Sequence, residues 1–142
     1  MGDPHPAPQP APPARWVLLR HELPDSSWHF DWMLERPVTR LDRRLLTFRL
    51  EQRPDFAPGA RFTGLRLGDH RAAYLDFEGE VSGGRGRVRR VDAGQLLRLS
   101  DDGGTLECQV LVGPHARLIR GQAARGTAWG FLIGDPQSPG AP

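Results

Sequence analysis

The chain has 142 residues, a formal net charge of +2 and 38% hydrophobic residues, enough for one domain with its own core and too few for two. All 19 basic residues are arginine, so a sequence pI near 9.4 reflects how little titrates below arginine and not a polycationic surface. The single cysteine, Cys108, excludes an internal disulfide and a cysteine zinc cage, and no apolar run is long enough to span a membrane.

Residues 1–14 alternate proline with small or polar residues, and 135–142 have a similar composition; both are expected to be disordered tails around a domain at 15–134. The first residues carry neither a basic start nor an apolar run, so no secretory signal is expected, and a cytoplasmic setting follows.

Trp16 to His21 reads as a strand. From Trp28 to Glu35 apolar and polar residues alternate: Trp28, Phe30, Trp32 and Leu34 share one face, and His29, Asp31, Met33 and Glu35 share the other. The intervening Glu22 to Ser27 has the breaker chemistry of a hairpin loop. Folding the first strand back on the second brings His21 near His29 and Asp31. Two imidazoles and a carboxylate suit a borderline divalent ion and leave positions open for substrate. Standing alone, His-x-Asp on a strand more often means ordinary surface residues. Trp28 and Trp32 are expected in the core, and Glu35 reads equally as support for the site or as a strand-end charge.

Further strands are expected over Leu45–Glu51, where Leu46, Phe48 and Leu50 alternate against Thr47, Arg49 and Glu51, and over Arg61–Leu67, Arg85–Val91, Gln95–Leu99, Thr105–Val112, Arg117–Arg120 and Thr127–Ile133, with no convincing amphipathic helix. Many short strands between glycine and proline turns predict an all-β, mostly antiparallel fold. Removal of exposed edges favours a small closed or nearly closed β-barrel over a sandwich. Cys108 falls in one of these strands, as a structural thiol. Arg85, Arg87 and Arg89 project from one face if their segment is extended, either as a short phosphate-tracking stripe or as a solvated hairpin.

Three segments in order carry a family resemblance. His21, then His29-Phe30-Asp31 with Leu34-Glu35, is followed by His70-Arg71-Ala72-Ala73-Tyr74-Leu75-Asp76-Phe77-Glu78-Gly79, and then by Gly86 to Gly94 with a glycine-rich turn, a strand and an Asp-x-Gly turn. From Arg15 to Ile133 this resembles the 3′-phosphoesterase module at the N-terminus of bacterial DNA ligase D, which also occurs as small stand-alone proteins. The resemblance implies a barrel, with His21, His29 and Asp31 as metal ligands and Mn2+ as the ion. It makes His70 a phosphate-contacting or acid/base residue with Tyr74 beside it. It sets Arg49 near the family's phosphate-binding lysine, and Arg61 or Arg66 near a second basic residue; Arg66 reads better as an ordinary exposed arginine. Arg87 is taken as a further phosphate contact.

Two departures stand out. The Glu22–Trp28 spacer is longer than the family's by about two residues, which a loop absorbs at little entropic cost. Met33 stands where the family has an arginine. The expected function is a metal-dependent phosphoesterase processing 3′ ends of DNA or RNA-tipped DNA in repair, with nucleic-acid 3′ ends and repair ligases or polymerases as partners, no membrane, and a monomeric state. The alternatives are an end-binding module that has lost catalysis, and an interaction protein whose proline-rich tails recruit repair partners.

Overall fold

The computed structural model describes residues 12–37 and 41–136. Ten strands make up nearly all of the regular structure: β1 (Arg15–Glu22), β2 (Trp28–Glu35), β3 (Arg43–Leu50), β4 (Arg61–Arg66), β5 (His70–Arg71), β6 (Gly79–Glu80), β7 (Arg87–Asp101), β8 (Thr105–Val112), β9 (His115–Ala123) and β10 (Ala128–Gly134). Eight of them close an antiparallel barrel in the order β1-β2-β3-β4-β10-β9-β8-β7, with β7 returning to β1. The expected barrel is therefore closed, and no helix among the described residues is long and apolar enough to cross a membrane.

The alternation in the sequence becomes an inside and an outside. Phe30, Trp32 and Leu34 of β2 and Leu46, Phe48 and Leu50 of β3 point into the barrel with Trp16 and Leu18 of β1. Trp32 lies within 5.5 Å, centroid to centroid, of Phe62 and Phe131, and Phe48 lies 4.9 Å from Phe131, edge to face in each case. Trp28 departs from the expectation. It is 45% exposed, and the Arg20 guanidinium lies over its ring at 4.3 Å.

The outside of β1–β3 is also buried. Val17, Leu19, Met33 and Leu45 form a second core with Leu75, Val81 and Val88, and Tyr74 packs against it. The cover is the long excursion between β4 and β7: β5 pairs with the start of β3, a 3-10 turn at Ala72–Leu75 crosses the outer face, and β6 joins β7. This is why β1 is apolar on both faces from Trp16 to Leu19.

The strands expected at Arg85–Val91 and Gln95–Leu99 are one, the 15-residue β7. Its first half pairs with β1 and its second with β8, and register shifts beside Val91 and Leu97 turn it from one neighbour to the other. The Asp-x-Gly at Asp92 to Gly94 is thus not a turn. Gly94 lies inside the strand because a Cβ there would overlap the Leu111 carbonyl and the indole of Trp16, which donates to that carbonyl at 3.0 Å.

The tails expected at 1–14 and 135–142 lie outside the described residues apart from 12–14 and 135–136. Ala14 belongs to the barrel: its carbonyl accepts from the Leu96 N–H at 2.8 Å, and it packs on the core. Cys108 is fully buried in the barrel, and burial pushes its thiol well above the ordinary cysteine range. It should stay unreactive toward an aromatic disulfide reagent in the native protein and react once denaturant is added; native-state labelling would contradict its placement.

Candidate metal centre

The β1–β2 register sets His21 directly opposite His29, and Asp31 follows two residues along on the same face. The connecting loop closes with the Leu23 N–H on the Ser27 carbonyl at 2.8 Å, and the Asp25 carboxylate accepts from the Ser27 N–H at 2.9 Å. The long spacer is accommodated in that loop without disturbing the histidine pair. One donor atom from each of His21, His29 and Asp31 lies within 4.8 Å of the other two.

The surroundings orient these groups. His21 Nε2 is 2.6 Å from the Arg85 carbonyl and so donates to it, which leaves Nδ1, 3.4 Å from Asp31 Oδ2, facing the group. His29 Nε2 is 3.1 Å from Asp31 Oδ1, off the line of a good hydrogen bond. Asp31 Oδ1 is consequently buried with no hydrogen-bond partner among the described residues, and so, at the other side of its ring, is His29 Nδ1. Burial by itself would raise the Asp31 pKa, but the adjoining His21 and His29 outweigh it and hold the carboxyl at about 2. His21 is shifted up, chiefly by Asp31, against desolvation and the charge of Arg49.

This donor set fits a divalent ion. Ligand bonds of about 2.1 Å in a tetrahedral site place donors about 3.4 Å apart, so the most widely spaced of the three side chains, within 4.8 Å of each other, need to close by up to about 1.5 Å. Two nitrogens and a carboxylate suit manganese, iron or zinc alike.

Beside the group opens a cleft of about 490 Å³ between the barrel wall and the covering segment. His21 and Asp31 line it from the barrel, and His70 and Tyr74 line it from the cover. His29 is 5% exposed and does not line it. His70 Nδ1 donates to the Gly68 carbonyl at 2.8 Å, leaving Nε2 available, and its ring is 5.8 Å from that of Tyr74. Met33 forms part of the cleft floor while packed in the second core.

The predicted basic residues are scattered. Arg49 faces Asp31 across β2–β3 but does not line the cleft, and its Nε is bound to Glu51 at 3.1 Å. Arg61 lies away from the cleft on β4, beside Phe62 and Thr63. Arg66 is held by Asp101 at 2.7 Å. Arg87 sits opposite Glu22 and Glu80, in a separate depression with Arg20 and Arg89. Three arginines that sequence reasoning had not placed here line the cleft instead: Arg43, Arg71 and Arg85. For Arg43 and Arg71 the only signal in the chain was the proximity of Arg71 to His70; pairing of β5 with β3 brings them together.

Glu35 is a strut, accepting from the Arg15 N–H at 3.1 Å and from Arg44 at 3.2 Å. Asp69 clamps Arg36 at 2.7 Å, and Arg36 shares Asp101 with Arg66, which ties the covering segment to the barrel. Asp101→Ala leaves two half-buried guanidiniums without that partner. The expected cost is about 2 kcal/mol, read as a lower denaturant midpoint with unchanged slope. An unchanged midpoint would show the clamp to be dispensable.

Fold and site together define a class: a closed antiparallel barrel carrying a two-histidine, one-carboxylate group on its outer wall beneath a covering segment. Compared with protein-family models and with curated proteins, the chain matches none.

Proposed function

We propose that this protein is a divalent-metal-dependent phosphoesterase acting on the 3′ end of a nucleic-acid strand. One observation carries it: His21 and Asp31 of one hairpin and His70 and Tyr74 of the distant covering segment share the wall of a single cleft with three arginines. His21, His29 and Asp31 would hold the ion, with manganese the choice that the ligase D resemblance favours. When bound, the ion supplies neutralisation of phosphate charge. His70, held through Nδ1, presents Nε2 to move a proton to or from the reacting oxygen. The Tyr74 hydroxyl donates to a phosphate oxygen, and the cleft arginines offset the remaining charge.

Buried Met33 favours a second reading, an end-binding module without turnover, because the floor of the cleft is apolar where the resembled family has a cation. The two separate in one assay. A primer ending in a 3′-phosphate or a 3′-ribonucleotide, incubated with protein and Mn2+, should lose that terminal group, and chelator should stop the loss. Gel retardation of the same primer without trimming supports the binding module, and neither activity rejects both.

A further inference from the structure

We propose that Arg43 and Arg71 form a phosphate clamp at the cleft, taking a backbone phosphodiester of the strand whose terminal phosphate is addressed by His21, His29 and Asp31. The clamp rests on the phosphoesterase reading of the cleft and adds to it a strand-holding subsite.

The two residues are register partners across β3–β5, and both are exposed. Like charges directly opposite on paired strands repel, so the pairing weakens the sheet unless an anion lies between them. Protein carboxylates supply little of that anion, through one long and exposed ion pair. Arg43 has no ion-pair partner among the described residues, and the nearest carboxylate to Arg71 is that of exposed Asp42, at 4.0 Å. Neighbouring Arg44, by contrast, is engaged by Glu35 at 3.2 Å.

The balance of charge along the cleft points the same way. Its two carboxylates are already committed, Asp31 to the histidines and Asp69 to Arg36. Arg43, Arg71 and Arg85 therefore leave the cleft cationic. Arg85 is partly spent, its Nε on the Ser82 carbonyl at 2.8 Å and its own carbonyl on His21. Arg43 and Arg71 are the guanidiniums still able to grip two phosphate oxygens in a fork. β5 also carries His70, which lines the same cleft. The pair lies six residues along β3 from Arg49, the register partner of Asp31, a separation that suits an internal phosphate of a bound strand better than a lone phosphate ion.

The test is fluorescence anisotropy with a short single-stranded DNA, dye-labelled at its 5′ end and carrying a 3′-phosphate, in chelator so that nothing is turned over. Arg43→Gln and Arg71→Gln should each weaken binding about tenfold. Each should also reduce the slope of log affinity against log salt by about 0.7, the value for one phosphate contact on a single strand. Arg120→Gln, on β9 and away from the cleft, should leave both unchanged. Affinity and slope in the double variant equal to those of the Arg120 variant would overturn the clamp, as would a wild-type protein that does not bind the strand. Thermal unfolding of both variants should be no lower than wild type, since a repulsion is removed. Arginine-dependent binding without Mn2+-dependent trimming would keep the subsite and sink the phosphoesterase. Trimming with an unaltered KM in the double variant would do the reverse.

Discussion

Alanine at Asp31 is expected to abolish Mn2+ binding and, with it, at least about a thousandfold of any 3′-end trimming, while leaving the barrel folded. The carboxylate is the only anion in the proposed ligand set, and both imidazoles lean on it, at 3.4 and 3.1 Å. Asp31→Asn keeps the shape and removes the charge: it should bind Mn2+ far more weakly than wild type and unfold at a lower temperature at neutral pH, the two proteins converging in acid. Titration calorimetry with Mn2+, run beside the trimming assay, reads both variants. Wild-type affinity in Asp31→Ala would remove the metal centre from consideration.

The same contacts leave a signature in the metal-free protein. Asp31 titrates at about 2 when folded against an ordinary value of 3.8, so its stabilising contribution is fully present above 3.8 and is lost as pH falls through 2. Asp31→Asn should flatten the acid limb of the stability curve. The raised pKa of His21 reports the same contact from the other side, as stability present below 6.5 and lost as pH rises through the folded value.

Phe48→Ala is the second large effect. Phe48 is fully buried, with Trp129 at 5.4 Å and Phe131 at 4.9 Å edge to face, and Trp32 at 5.9 Å. Closed barrels relax poorly around a missing ring because each wall strand is hydrogen-bonded on both sides. The expected loss is about 4 kcal/mol, a large share of the 5–15 kcal/mol typical of a domain. Urea unfolding should show the midpoint collapse, and a loss under about 1 kcal/mol would mean that the aromatic cluster repacks freely. Leu132→Ala, on the exposed side of β10, is the matched control and should be close to neutral.

Several of these features were legible in the chain. Alternation along β2 and β3 correctly separated Phe30, Trp32 and Leu34 from His29 and Asp31, and Leu46, Phe48 and Leu50 from Thr47 and Arg49. A strand has a period of two, so one glance assigns both faces. The histidine pairing was legible for a related reason: a hairpin's register follows from where its loop lies. The strand β7 was misread because Asp-x-Gly has the composition of a turn, whereas its glycine answers a close approach by Trp16 and Leu111 from elsewhere in the fold. Arg61 was assigned from the family resemblance and Arg87 from the shared face of an extended basic segment, and neither ground says which wall of a barrel a strand occupies.

The amino-acid pattern by itself determined the all-β class, the inward and outward faces of β2 and β3, and the convergence of His21, His29 and Asp31, because each depends on neighbours within a strand or across one hairpin. Only the tertiary structure decided that the outer wall of β1–β3 is covered, that His70 and Tyr74 share a cleft with His21 and Asp31, and that Arg43 meets Arg71. Those contacts join segments that are distant in the chain, and they are set by which surfaces the excursion between β4 and β7 must bury.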